Sequence, residues 1–163
     1  MSGIFVWAFA STSNAMVSNI IGQGKKDQVL FLIKKITRLS FFFTATLCLL
    51  INIFPDIFLS LYGRDESFIK DSIPVIRIVS AGLVFMAVGT VWLNGVTGTG
   101  NTKINLVIEI VAIVLYSIYI YFVLHVWHLS LVWAWSSEML YWLILFTLSF
   151  LYLRSGKWQN KVI

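Results

Sequence analysis

The stretch AWSSEMLYW, residues 134–142, sets a carboxylate, Glu138, inside an apolar run that continues to about Leu153. If that run crosses a bilayer, an ionisable group near its centre costs roughly 2.5–3.5 kcal/mol on insertion scales. At helical spacing Ala134, Tyr141, Leu145 and Ser149 share its face, and Trp135 and Trp142 flank it. An earlier run offers a matching face of Glu109, Ala112, Tyr116 and Tyr119, with Tyr116 expected to reach the depth of Glu138. Asn52 is expected near the middle of another run, and Asn14 lies on a polar face of the first. Carboxylates can carry protons or cations, and aromatic rings can hold organic cations through cation–π contact. The same groups can also act only as interhelical hydrogen bonds, and Glu109 can snorkel or pair with Lys103.

The rest of the chain supplies the membrane. It has 163 residues, 59% hydrophobic and 12% charged, with a mean hydropathy of +0.88. A soluble domain carries about a quarter charged residues. Five apolar stretches run from about 3–21, 39–60, 73–96, 104–124 and 129–153. Each approaches the roughly 20 residues that a helix needs to cross a bilayer. Only helices satisfy their own backbone in lipid, and the alternation of a barrel strand is absent. The sequence therefore predicts an all-α integral membrane protein with five transmembrane helices. On this reading Glu138 lies about eight residues, or about 12 Å, into the last of them.

Charge orders the helices. The net charge of +5 does not gather on one face, so nucleic acid is not expected as a partner. Lys25, Lys26, Lys34, Lys35 and Arg38 follow the first stretch, Lys103 follows the third, and Arg154, Lys157 and Lys161 form the tail. The connection around Arg64 to Asp71 mixes signs, and the fourth has no Lys or Arg. The positive-inside rule puts the first three of these groups and the C-terminus in the cytoplasm. Residues 28–38, QVLFLIKKITR, interleave apolar and basic side chains and are expected to lie along the cytoplasmic surface.

Several other chemistries find little support. The single cysteine, Cys48, sits in an apolar run, which gives no disulfide framework. His125 and His128 lack a third metal ligand nearby, so no metal site is expected. GTGNT, residues 98–102, lacks the strand and third glycine of a dinucleotide site and reads as a tight turn. No nucleophile stands beside a base, so an enzyme is not expected. The first helix is unusually polar, with Ser11, Asn14, Ser18 and Gly22 on one face. Such a face expects further helices against it, and an N-out polar start reads like the middle of a longer protein.

Three segments carry a family resemblance. STSNAMVSNIIGQGKKDQV, WLNGVTGTGNTKINLVIE and WSSEMLYWLILFTLSFLYLRSGKWQNKVI carry it, and the match they anchor runs over nearly the whole chain. They resemble multidrug and toxic compound extrusion (MATE) transporters, with Gly22, Gly24, Gly98 and Gly100 marking the helix-ending turns. The resemblance implies twelve helices in two lobes of six, of which this chain matches about helices eight to twelve in the C-terminal lobe. It implies a multi-pass protein of the bacterial cytoplasmic membrane that exports small organic, often cationic, compounds in exchange for Na+ or H+, with no other cofactor. The missing partner is then the N-terminal lobe with helix seven, and the chain is expected to be inactive alone. Some relatives carry an acid in the helix matching residues 82–95, and this chain has none there. Glu138 and Glu109 are the available substitutes. A small membrane scaffold subunit, or part of a related flippase for lipid-linked substrates, are the alternative readings.

Overall fold

The computed structural model describes residues 2–59 and 66–160; the side chains of 2, 66–71, 131, 132 and 160 are left aside. Arg64 and Asp65 lie outside the described residues, as does Ser60. In chain order the elements are α1 (Ser2–Gly22), α2 (Val29–Ile53), α3 (Pro55–Leu59), α4 (Glu66–Gly98), α5 (Thr102–Tyr121), α6 (Leu131–Trp135) and α7 (Ser137–Arg154). A π-helical turn, Phe122–Val126, closes α5, and 3-10 turns occupy Lys26–Gln28 and Lys157–Asn160. Among the described residues five helical segments are long and apolar enough to span a membrane: Gly3–Gly22, Lys26–Ile53, Ser72–Gly98, Thr102–Val126 and Trp133–Arg154. The protein is an all-helical, multi-pass membrane protein.

The central element is α4, which touches α1, α2, α5 and α7. Small residues allow that, because helices in lipid associate mainly by close packing and hydrogen bonds. Gly82 approaches Glu138, Gly89 approaches the Trp142 backbone, and Gly95 approaches Ile33 and Leu153. Trp92 then packs edge-on against Phe146 and Phe150, with ring centroids 5.7 and 5.2 Å away. These pairs climb together in number, so α4 and α7 run parallel. So do α1 and α4: the Ser13 and Ser18 hydroxyls donate to the carbonyls of Val91 and Gly98, at 2.9 and 3.0 Å. Helix α2 runs the other way, with Ser40 bonded to Ala87 and Cys48 to Ser80. Helix α5 is antiparallel to α7, pairing Tyr116 with Tyr141 and Tyr119 with Ser136.

Three of the five spans therefore end at one pole of the bundle, and each ends on a left-handed glycine. Gly24 and Gly100 have φ of +76° and Gly156 has +68°. Such a residue turns the chain out of a helix at little steric cost when it has no Cβ. At the same pole Lys26 donates to the Gln159 carbonyl at 2.7 Å, tying the first turn to the tail. The basic side chains of Lys25, Lys26, Lys103, Arg154 and Lys157 gather around that pole.

Two expectations are corrected by this architecture. Residues 28–38 are not a separate surface segment but enter α2, which is continuous from Val29 to Ile53. Leu32, Ile33 and Ile36 are buried against the bundle while Lys34, Lys35 and Arg38 stay exposed. Asn52 consequently sits in the last turn of α2 rather than mid-span. The Ser40–Ala87 and Cys48–Ser80 register puts it about 15 Å from the centre of the α4 span, at 1.5 Å per residue. Gly22 ends α1 and Gly24 reverses the chain, just as Gly98 ends α4 and Gly100 reverses it there. On the polar face of α1, Ser18 donates to the Gly98 carbonyl of α4, while Ser11 and Gly22 remain exposed.

Candidate functional site

The fifth span is broken at Ser136, two residues before its carboxylate. At the break the Ser136 and Ser137 hydroxyls donate to the carbonyls of Trp133 and Ala134, each at 2.6 Å. Serine side chains that bond a preceding carbonyl compete with the helical ladder and bend it. The Tyr119 hydroxyl, 2.7 Å from Ser136 Oγ, completes the patch as donor, since the Ser136 proton is already committed to Trp133. Glu138 thus lies in the first turn of α7, where the helix dipole favours a negative charge. Its Oε2 accepts the Trp142 indole N–H at 3.1 Å. A cavity of about 90 Å³ opens beside it, lined by Val79, Gly82, Leu83, Met86, Trp135 and Trp142.

The second acid occupies a larger and more polar cavity. Glu109 lines a space of about 190 Å³ with Thr90, Asn94, Thr97, Asn105, Tyr141, Trp142 and Trp7 among its walls. A chain of hydrogen bonds crosses from α4 to α5 there. Thr97 Oγ1 donates to Asn105 Oδ1 at 3.1 Å, and Asn105 Nδ2 donates to Glu109 Oε1 at 3.0 Å. Asn94 is held separately, its amide donating to the Thr90 carbonyl at 3.0 Å. Glu109 therefore faces a polar pocket and takes Asn105, not Lys103, as its hydrogen-bond donor. A carboxylate with amide and hydroxyl oxygens suits a hard monovalent cation or a proton, while the rings suit an organic cation.

Tyr141 and Trp142 stand between the two acids. Tyr141 is within electrostatic reach of both Glu109 and Glu138. Its ring meets Tyr116 at 5.8 Å and Trp142 at 4.8 Å. The structure so brings together Glu138, Glu109, Tyr116, Tyr119 and Tyr141. Asn14 and Asn52 are elsewhere, on the α1–α4 seam and at the far end of α2, where Asn52 bonds its own Cys48 carbonyl at 2.7 Å. Thr97, Asn94 and Asn105 are residues that reading the sequence alone passes over. Their signal was present as polar positions at helical spacing: Thr90, Asn94 and Thr97 on α4, and Asn105 and Glu109 on α5. Among the described residues no group of three His, Cys, Asp or Glu is placed to hold a metal ion.

Comparison with known proteins agrees with this helical plan. The family model MatE matches residues 1–123. The chain belongs to the MatE family. It is also similar to the probable multidrug resistance protein NorM of Thermotoga maritima, 27% identical over 149 residues. That alignment takes in 91% of this chain and 32% of the relative, so the chain spans about a third of that protein's length. No solved structure gives a significant match. The MatE match reaches Val123 and so takes in Glu109 and its α4 partners, whereas Glu138 lies beyond it.

Proposed function

We propose that this chain is the C-terminal part of a secondary active exporter of small organic, often cationic, compounds, driven by entry of Na+ or H+. The carrying observation is that two carboxylates line neighbouring cavities within the helix bundle, with tyrosine and tryptophan rings between them. Membership of MatE and the printed name of the Thermotoga maritima relative support the same reading. In this scheme Glu109 and Glu138 exchange a coupling ion with the charge of the exported compound, and Tyr116, Tyr119 and Tyr141 line the path. The chain supplies about helices eight to twelve of a twelve-helix transporter of the bacterial cytoplasmic membrane. The basic pole faces the cytoplasm, as the positive-inside rule directs. A first lobe and helix seven complete it, because alternating access needs a second unit to rock against. The chain is therefore inactive by itself, and it is not an enzyme.

The experiment is efflux by a full-length transporter carrying this chain, with Glu109→Gln and Glu138→Gln, after membrane abundance has been matched. Loss of efflux, or loss of its dependence on the imposed ion gradient, in at least one variant supports exchange at these acids. Unchanged efflux and unchanged gradient dependence in both would reduce them to helix-to-helix ties.

A further inference from the structure

We infer that Trp142 is the positioning residue for Glu138 and the partition between the two acid-bearing cavities, so that a cation passing from Glu138 to Glu109 must displace its ring. The inference rests on the export reading above. Its geometry comes from three relationships. The Trp142 indole N–H holds Glu138 Oε2 at 3.1 Å. The other walls of the Glu138 cavity, Val79, Gly82, Leu83, Met86 and Trp135, carry no charge, so little else fixes the carboxylate's direction. Trp142 also lines the Glu109 cavity, which makes it a wall common to both spaces.

The third relationship concerns what can move. A Cβ on Gly89 would stand 2.8 Å from the Trp142 carbonyl, so the α7 backbone is seated hard against α4 at this level. The side chain is not confined in the same way. On its remaining side lies an apolar cavity of about 210 Å³, lined by Phe41, Val84, Phe85, Val88, Leu143 and Phe146. An indole released from Glu138 can swing towards that space while the main chain stays fixed. A charged acceptor strengthens the hydrogen bond that prevents this, and a neutralised one weakens it. A proton or cation arriving at Glu138 thereby loosens the wall that separates it from Glu109.

The test uses the full-length transporter carrying this chain, with nitrogen-15 tryptophan and the Trp142 indole resonance assigned by its loss in Trp142→Phe. Tetraphenylphosphonium is the cationic probe. Glu138→Gln should move the Trp142 resonance more than that of any other tryptophan. Titrating the probe should move it in the native protein and not in Glu138→Gln. Trp142→Phe keeps a ring to pack and loses the N–H, and it should slow efflux of the probe about tenfold. Trp142→Phe combined with Glu138→Gln should be no slower than the worse single variant, as expected for two groups acting as one unit. A Trp142 resonance indifferent to Glu138→Gln and to the probe overturns the inference. Additive losses overturn it, as does native efflux in Trp142→Phe with loss only in Trp142→Ala. Should efflux be absent while the resonance still follows Glu138 and the probe, the export reading fails and the positioning role stands.

Discussion

The Asn14 carbonyl lies 2.7 Å from where a Cβ on Gly98 would stand, and Val17 Cβ lies 2.8 Å from the same point. The Gly98 carbonyl meanwhile accepts the Ser18 hydroxyl at 3.0 Å. Helices α1 and α4 touch backbone to backbone there, which only glycine permits.

Gly98→Val should therefore push α1 off α4 and break the Ser18 bond. Overpacking of this kind costs about 1–3 kcal/mol. The check is thermal unfolding of the purified protein in detergent, where a lower melting temperature than native is expected. An unchanged melting temperature would mean that α1 is free to shift.

Gly24 and Gly22 make a paired control, because neither has an atom within 4 Å of an added Cβ. They differ in backbone conformation alone. Gly24 has a φ of +76°, whereas Gly22 ends α1. Gly24→Ala should cost about 1–2 kcal/mol, the penalty of a left-handed residue bearing a Cβ. Gly22→Ala should be neutral or slightly stabilising by helix propensity. Denaturation of the two variants side by side measures the difference directly.

Much of this fold was legible because solvent leaves a strong mark. Five apolar runs and the alternation of basic loops gave the number of spans and their alternating sense. Boundaries were less legible for identifiable reasons. Lys34, Lys35 and Arg38 alternate with Leu32, Ile33 and Ile36 at helical spacing. That pattern describes a helix lying on a surface and the first turns of a bundle helix equally well. Misplacing the start of α2 in turn misplaced Asn52. The break at Ser136 was harder to read, since the polar Ser136, Ser137 and Glu138 fit inside a membrane helix equally well and the break depends on two hydroxyls turning back on Trp133 and Ala134. Pairing of Thr97 with Asn105 needed the register of α4 against α5, which no single helix records.

Trp158 offers a prediction about the tail. It is 2% exposed and joins a buried cluster that includes Ile21, Val29, Ile33, Val96 and Leu153. Its indole N–H donates to the Leu153 carbonyl at 2.9 Å, adding to the longer bond of 3.4 Å which that carbonyl accepts from the Gly156 N–H at the end of α7. Trp158→Ala should cost about 3 kcal/mol through the lost contacts and the cavity left behind. Trp158→Phe, which fills the space without the N–H, should recover most of that. Membrane abundance and melting temperature of both variants report the outcome.

Orientation can be read with single cysteines at the two poles. Ser130 precedes α6, and Ser155 follows α7 next to Gly156. The native Cys48 is only 5% exposed and donates to the Ser80 carbonyl, so it should react slowly. With the basic pole inside, Ser130→Cys should label in intact cells with an impermeant thiol reagent, and Ser155→Cys only after lysis. The reverse pattern would invert the bundle.

Asn105 gives the last prediction, about what Glu109 needs. Its amide bridges Thr97 on α4 and Glu109 on α5, donating to the acid at 3.0 Å and accepting from the hydroxyl at 3.1 Å. A leucine there removes both bonds and leaves a carboxylate with a weakened hold in a largely apolar bundle. Unsatisfied charged groups in such settings cost more than about 1–3 kcal/mol. Asn105→Leu should thus impair efflux in a full-length transporter carrying this chain, with the apparent affinity for the coupling ion falling more than the maximal rate. Asn105→Gln retains donor and acceptor on a longer arm and should lie between. Thr97→Val, which deletes only the distal bond, should cost least. If Asn105 merely packs, all three variants should lose abundance together while efflux per molecule stays constant. A graded loss of ion affinity at constant abundance would instead place the Thr97–Asn105 bridge in control of how Glu109 meets its ion.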